Sequence, residues 1–211
     1  MSPAELIRLV GVTWIQIFAI LNPPSVVPTM LSLTEDLSME ERRYIVRTAS
    51  IAVFAIMSVF ALAGDTFLRA VGVSLPSLKF GGSILLFVIS VDMLKGVPRT
   101  RQLESEELAV VPLATPLLVG PGTIATLIIL SASLPAETGS RVAGIAILLS
   151  AIVIVVVTTY LVLRYSLQLV RVLGVNGTRA LGRFMAIIIA GVAAEMMHSA
   201  LHEWIASWRL S

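Results

Sequence analysis

Two short motifs place asparagine or threonine, followed by proline, inside stretches that are otherwise apolar. The first is NPPSVVP at residues 22–28, and TPLLVGP at residues 115–121 repeats its spacing of prolines. Proline removes a backbone hydrogen bond and clashes with the preceding turn, so each motif predicts a break in a helix. Asn22 and Thr115 are good N-caps, so a new helix is predicted to begin directly after each of them. A helix start offers amide donors to an anion and a helix end offers carbonyls to a cation, so two facing breaks predict a site for a small zwitterion.

The predicted site binds both charged groups of this zwitterion. Its carboxylate is expected at backbone amides of residues 23–25 and 120–123, and its ammonium at carbonyls near Leu21 and Ala114. Glycine and serine beside the prolines permit close approach of the backbone to a ligand, which favours glycine, alanine or serine as the ligand. The alternative is that the prolines only kink two helices and the small residues serve helix packing. The predicted substrate-binding residues are Asn22, Pro23, Pro24, Ser25, Thr115, Pro116, Gly120, Gly122 and Thr123.

Two acidic residues lie within apolar stretches, where an ionisable side chain is costly and is usually functional. Glu195 follows ten positions without a polar side chain and is expected to be buried in the membrane. Counting about 1.5 Å per residue from Lys79 places Asp92 about 20 Å into a hydrocarbon core of about 30 Å. Alternatively, the Asp92 carboxylate reaches the end of its span, three residues before Lys95. Asp92 and Glu195 are predicted to carry a proton or close a gate, with Asp92 nearer the level of the two breaks.

Histidines near the second acid raise the question of a metal site. Glu195, His198 and His202 follow the spacing i, i+3 and i+7, which places them on one helix face and could chelate a metal. The run His202-Glu203-Trp204 is instead typical of a membrane interface, and the sequence has no cysteine and no second cluster. No metal site and no cofactor are therefore predicted. A serine-histidine-acid constellation, a phosphate-binding glycine loop and a basic aromatic patch are also absent, so neither an enzyme nor a nucleic-acid partner is predicted.

These residues must be positioned by helices that cross a membrane. Apolar residues make up 57% of the 211-residue chain and charged residues only 13%, and the mean hydropathy of +0.95 is far outside the range of soluble domains. The apolar runs are continuous rather than alternating, which argues against a barrel of strands. The predicted fold class is an all-α integral membrane protein with six transmembrane helices, of which helices 1 and 4 are broken. The apolar segments are roughly 6–33, 44–64, 71–94, 108–134, 142–163 and 180–205.

Charges in the predicted loops indicate the orientation. The first, third and fifth loops hold ten Lys and Arg residues, against five in the other loops and the two tails. Because positive charge disfavours translocation, the odd loops are predicted in the cytoplasm and both termini on the periplasmic or extracellular side. The second and fifth of these predicted loops are GDTFLRAVG at 64–72 and RYSLQLVRVLGVNGTR at 164–179.

The two proline motifs also predict an internal repeat. They lie in the first and fourth segments, and a repeat of three spans must have opposite orientations in its two copies. Asp92 and Glu195 lie in the third segment of each half and each is followed by methionine. The chain is therefore predicted to form a single transmembrane domain, 1–211, with repeat one at about 1–98 and repeat two at about 105–211.

The quoted motifs carry a resemblance to a known family. LNPPSVVPTMLSLT, GGSILLFVISVDML and VPLATPLLVGPGTIATLIIL resemble the MarC family of bacterial inner-membrane proteins, also classed as neutral amino acid transporters, and the resemblance covers essentially the whole chain. It implies six spans in two inverted repeats and secondary transport of glycine, alanine or serine, coupled to protons in at least some members. One departure is that Glu195 stands where glutamine is expected in the family, which leaves the role of that position open.

The predicted function is secondary transport of small neutral amino acids across the bacterial inner membrane, coupled to protons. Two other readings stay open. Paired half-helix motifs are also found in aquaporin-like channels, although there they lie in re-entrant loops after the second and fifth spans. An intramembrane enzyme would have to rest on Glu195 and its neighbouring histidines. The expected partners are the amino acid and the lipid bilayer, and the sequence does not indicate an oligomeric state.

Overall fold

A computed structural model describes residues 2–34, 37–95 and 118–208 of the chain. All the regular secondary structure in these ranges is helical, which confirms the all-α prediction. The fourth predicted segment is represented by the helix that begins at Pro121, because residues 108–117 lie outside the described ranges. The helices are α1 (Pro3–Leu21), α2 (Pro23–Leu33), α3 (Met39–Val71), α4 (Leu75–Lys95), α5 (Pro121–Thr138), α6 (Arg141–Arg164) and α7 (Ser166–Trp208).

Five stretches within the described residues are long and apolar enough to cross a membrane, where six were predicted. Helix α5 is not among them, although it forms the described part of the fourth predicted segment. The length and composition of these stretches are those of an integral membrane protein, and the sixth span stays a prediction. The five stretches are Pro3–Leu31, Met39–Gly64, Leu75–Lys95, Arg141–Arg164 and Asn176–Ala206.

Side-chain caps determine where two of the helices begin. Ser2 and Glu5 form a capping box at the start of α1, in which each side chain accepts the backbone N–H of the other. Ser38 and Glu41 form the same box at the start of α3. Such a box satisfies two N–H groups that the helix itself cannot pair. Helix α3 therefore begins at Met39, ahead of the apolar segment predicted from residue 44.

Two predicted loops are largely helical. Helix α3 continues through residues 65–71 to the left-handed cap Gly72, with φ of 72°. In α7, two helices meet at a kink at Gly174, where φ is 68° and ψ is 171°. Most side chains of these two segments are exposed. Residues 65–71 and 166–175 lie outside the stretches that are apolar enough to cross a membrane, Met39–Gly64 and Asn176–Ala206, so they connect apolar stretches as expected and are helical rather than irregular.

Helices α4 and α7 pack against each other in antiparallel directions. At one end Lys79 Nζ donates to Ser199 Oγ, 3.1 Å away, and forms an ion pair with Glu203. The rings of Phe80 and Trp204 lie 5.2 Å apart at the same end. A buried amine requires such partners, so this cluster fixes one end of the helix pair and leaves the opposite end facing the break between α1 and α2.

The buried apolar residues form two clusters, and α1 contributes to both. The larger cluster joins α1, α2, α3, α5 and α6. The smaller one joins the end of α1 to the middle of α4 and α7. Since α1 ends between the two clusters, its last turn lies in the interior of the bundle. The buried residues of the smaller cluster are Ala19, Ile20, Leu86, Ile189 and Ala193.

Candidate functional site

The first predicted break lies where the sequence placed it. Helix α1 ends at Leu21, and Asn22 adopts the left-handed conformation with φ 44° and ψ 58°. Its N–H donates to the Phe18 carbonyl at 2.8 Å, and α2 begins at Pro23. Asparagine tolerates this backbone conformation better than most residues, and the proline that follows cannot continue the hydrogen bonds of α1. The break in the first span is therefore confirmed.

The Asn22 side chain is fully buried, with no exposed surface. Its Oδ1 has no hydrogen-bond partner among the described residues, and its Nδ2 lies 4.0 Å from Met93 Sδ, a weak acceptor. A buried polar atom left without a partner costs about 1–3 kcal/mol. The buried Asn22 amide therefore indicates a hydrogen-bond partner other than these neighbours.

Proline and serine at the start of α2 leave few amide donors at the first break. Pro23 and Pro24 are buried and have no N–H. The Ser25 N–H and the Ser25 hydroxyl both donate to the Asn22 carbonyl, at 3.1 Å and 2.9 Å. The sequence analysis expected backbone amides of residues 23–25 to bind a carboxylate. In this geometry the first break offers the Asn22 amide instead.

The second break stays a prediction, because the structure describes the helix start at Pro121 and not the residues before Leu118. Helix α5 begins at Pro121, and Gly120 caps it with an extended backbone and no side-chain hydrogen bond. The Ile124 N–H donates to the Gly120 carbonyl at 3.1 Å. Gly122 and Thr123 are buried in the first turn, where a helix supplies no internal acceptor for N–H groups. Thr115 and Pro116, where the sequence predicted the helix start, lie outside the described residues.

The start of α5 lies close to the end of α1. A Cβ atom placed on Gly122 would lie 2.7 Å from Ile89 Cδ1, 3.2 Å from Leu86 Cδ2 and 3.8 Å from Ile20 Cγ2. The first turn of α5 therefore packs against side chains of α4 and against Ile20 in the last turn of α1. Glycine at position 122 leaves room for the ends of these side chains.

A glycine of the last span completes the surroundings of Asn22. A Cβ atom on Gly182 would lie 3.5 Å from Ser25 Cβ and 3.8 Å from Asn22 Nδ2. Together with Met93 of α4, Gly182 is a site residue that sequence reasoning missed. Both lie beside Asn22 through the packing of separate helices. Met93 belongs to the quoted GGSILLFVISVDML motif, but the motif does not indicate a contact with Asn22, and no motif marks Gly182.

The two acidic residues lie on the surface of the chain. Asp92 and Glu195 are both exposed on the surface of the chain. Glu195 lies within the apolar stretch Asn176–Ala206, and its expected position inside the membrane stays a prediction. Asp92 adjoins Met93, which contacts Asn22, and therefore lies at the level of the first break. Glu195 adjoins Met196, whose Cε lies 3.4 Å from the Cβ position of Gly82, about 16 Å farther along α4 at 1.5 Å per residue. The order of depths agrees with the sequence analysis, and the coupling or gating roles stay predictions.

The histidines near Glu195 do not form a metal site within the described part of the chain. No group of three or more His, Cys, Asp or Glu residues lies close enough there to hold an ion. His198 and His202 are exposed, and their ring centroids are 6.5 Å apart.

A broken helix inside a bundle of apolar spans defines the class as an integral membrane protein, and the buried Asn22 amide, whose Oδ1 has no hydrogen-bond partner among the described residues, makes the break a candidate site. Comparison with known proteins identifies the family. Residues 7–205 match the model described as MarC family integral membrane protein, and the chain belongs to this family.

Relatives of this chain are known from bacteria and archaea. It is 33% identical over 193 residues to a UPF0056 membrane protein of Aquifex aeolicus, covering 87% of this chain and 88% of the relative. It is 34% identical over 189 residues to the UPF0056 membrane protein MJ1677 of Methanocaldococcus jannaschii, covering 86% and 90%. It is 28% identical over 194 residues to the UPF0056 inner membrane protein YhgN of Escherichia coli, covering 88% and 92%. None of these three names states an enzymatic activity, and no solved structure matches.

Proposed function

We propose that this protein is a secondary transporter that moves small neutral amino acids, of the glycine, alanine or serine type, across the bacterial inner membrane. The observation that carries the proposal is the Asn22 amide, which is buried at a helix break and lacks a partner for Oδ1 among the described residues. Irregular backbone within a membrane is tolerated where it is buried in protein or lines a polar cavity. A permeating polar molecule would satisfy the amide.

The two breaks favour a zwitterion because they offer complementary groups. Asn22 Oδ1 is an acceptor suited to the ammonium group of an amino acid. The N–H groups in the first turn of α5, at Gly122 and Thr123, are donors suited to its carboxylate, and the positive end of the helix dipole supports an anion there. Thr115, Pro116 and Gly120 of the second motif are proposed to complete this side of the site.

Packing around the glycines favours a ligand with a small side chain. Gly122 lies against Ile20, Leu86 and Ile89, and Gly182 lies against Asn22. These contacts leave little room beside the proposed positions of the two charged groups. Because a bulky side chain would have to displace these neighbours, glycine, alanine and serine are proposed as better substrates than leucine or phenylalanine.

Six spans in two inverted repeats, about 1–98 and 105–211, form part of the proposal. Leu86 and Ile189 each precede an acidic residue by six positions, Asp92 and Glu195. Both are fully buried in the smaller apolar cluster, where α4 and α7 meet. Contact between equivalent positions of two halves is expected close to a two-fold axis. The distribution of Lys and Arg supports an orientation with both termini on the periplasmic or extracellular side.

Proton coupling is proposed to use one of the two acids. Asp92 is favoured, because it lies at the level of the first break and adjoins Met93, which contacts Asn22. Glu195 lies at another level and has the alternative role of a gate. A carboxylate within a membrane-spanning helix is a common element of proton relays.

Thermal unfolding of the detergent-purified protein over a panel of metabolites tests the proposal. A ligand that binds the folded state raises the midpoint, by an amount that grows with ligand concentration over Kd. Glycine, alanine and serine are expected to raise the midpoint of thermal unfolding more than leucine, ethylamine or acetate. They are also expected to compete with one another for saturable uptake into proteoliposomes. Swelling of the liposomes in uncharged solutes without saturable amino acid uptake would indicate a channel instead.

A further inference from the structure

The last span carries an exposed polar face that the proposed transport site does not use. Gly191, Ala194, Glu195 and His198 are all exposed, and their spacing of i, i+3, i+4 and i+7 places them on one face of α7. His202 continues this face one turn farther, with its ring centroid 6.5 Å from that of His198. We call these five residues the α7 face.

Glu195 lies deep within its span. At 1.5 Å per residue, Glu195 lies about 12 Å along α7 from Glu203 and about 18 Å from Arg183. Glu203 pairs with Lys79 at one end of the helix pair. Its short side chain cannot reach water from this depth, and a carboxylate in contact with hydrocarbon is strongly disfavoured. Within the described ranges Glu195 has no hydrogen bond or ion pair. Asp92 differs, because it lies only three residues before the end of α4 at Lys95.

We propose that the α7 face is covered by the same face of a second copy of this chain, in a two-fold dimer whose axis runs along the membrane normal. Both copies then keep the same orientation in the membrane, so their α7 helices run parallel and Glu195 faces His198 of the second copy. The carboxylate accepts a hydrogen bond from that imidazole, and the symmetry creates the pair twice. The α7 face is thus complementary to itself.

Small residues make the approach of two α7 helices sterically feasible. A Cβ atom placed on Gly191 would have no neighbour within 4 Å, and Ala194 adds only a methyl group. Helices in membranes associate through such small residues, and polar side chains then form hydrogen bonds across the contact. The dimer is independent of the transport proposal, since it depends on the α7 face and not on the helix break.

Cysteine cross-linking in native membranes tests the contact directly, because the chain has no cysteine of its own. Ala194→Cys is expected to give a disulfide-linked species of twice the chain mass upon mild oxidation. The matched control is Val153→Cys, which places a cysteine at an exposed position in the middle of α6. Equal cross-linking of the two variants, or an Ala194→Cys adduct only to other proteins, would overturn the proposal.

Exchange of the two polar residues tests the pairing itself. Single-molecule photobleaching in vesicles, at decreasing protein-to-lipid ratios, measures how strongly the chains associate. Glu195→Ala and His198→Ala are each expected to weaken dimerisation about tenfold, since each removes both symmetric hydrogen bonds. The double variant Glu195→His with His198→Glu is expected to restore it. The assignment would be contradicted if the unaltered chain is monomeric at every protein-to-lipid ratio. It would also be contradicted if the double variant dimerises as weakly as the single variants.

Discussion

The helix break at Asn22 and the helix start at Pro121 present opposite polar groups. At the first break two consecutive prolines remove amide donors, and Ser25 uses its own N–H and hydroxyl on the Asn22 carbonyl. What remains is a buried side-chain amide with an unpartnered Oδ1 among the described residues. At the second break Pro121 is followed by Gly122 and Thr123, whose N–H groups lie in the first turn of α5.

This difference separates two kinds of information in the motifs. A helix begins at one proline of each motif, at Pro23 and at Pro121, whereas Pro28 lies inside α2. The residues next to the prolines determine whether the break offers acceptors or donors. A pair of equal breaks would favour a ligand with one kind of charge, whereas an acceptor break beside a donor break favours a zwitterion.

Filling the donor break is expected to have the largest effect. Gly120→Leu places a large side chain at the cap of α5, where the backbone is extended and accepts any residue. We expect uptake of glycine into proteoliposomes to fall by roughly a hundredfold or more, which corresponds to a loss of about 2.7 kcal/mol, while the protein stays folded. The control is Gly11→Leu in α1, because a Cβ atom at Gly11 has no neighbour within 4 Å. Normal uptake by the Gly120→Leu variant would remove the second break from the site.

Removal of the acceptor tests the first break. Asn22→Gly keeps the left-handed backbone, which glycine adopts without strain, and deletes the amide. Hydrogen bonds to charged groups contribute about 1.5–3 kcal/mol, so the affinity for glycine is expected to fall about ten- to a hundredfold. The free energy of unfolding should change by less than about 1 kcal/mol, because the deleted Oδ1 has no partner to lose among the described residues.

Calorimetric titration and thermal unfolding of the Asn22→Gly variant measure the two quantities separately. Asn176→Gly, at an exposed position of α7, is the matched control and should leave the affinity unchanged. A large loss of stability without a loss of affinity would show that Asn22 supports the fold and not the ligand.

Local chemistry explains which features the sequence could predict. The break at Asn22 follows from asparagine before two prolines, and the structure has it at the same residue. The relative depths of Asp92 and Glu195 follow from counting along regular helices. The all-helical fold follows from continuous apolar runs, which fit no other element that satisfies its backbone in lipid.

Features that depend on contacts between helices could not be predicted in this way. Gly182 and Met93 lie beside Asn22 because α4 and α7 pack at the end of α1, and no local pattern encodes that contact. The exposure of Glu195 on the surface of the chain could not be predicted either. The residues around it are apolar on every side of α7, so their periodicity does not distinguish the inner face from the outer face.

Coupling is expected to depend on the acid beside the acceptor break. A pH gradient of one unit provides about 1.4 kcal/mol per proton, which supports about tenfold accumulation of substrate in a one-to-one symport. Asp92→Asn is expected to abolish this accumulation while exchange of labelled for unlabelled substrate continues. Glu195→Gln is the comparison variant and is expected to keep the accumulation. If both variants retain it in proteoliposomes, neither acid is the coupling residue.

The smallest expected effect concerns the size of the acceptor break. Gly182→Ala adds a methyl group 3.5 Å from Ser25 Cβ and 3.8 Å from Asn22 Nδ2, which are ordinary contact distances, so the variant should fold. Alanine is favoured over glycine within a helix by about 0.5–1 kcal/mol, so a small gain in stability is expected.

The added methyl at position 182 narrows the space for the substrate side chain, and one such group changes discrimination between substrates by at least about 1 kcal/mol. Uptake of alanine and serine should therefore fall about fivefold relative to uptake of glycine. Gly81→Ala in α4 provides the same helical gain without a neighbour within 4 Å and should leave the ratio unchanged, so an equal change in both variants would show that Gly182 does not line the site.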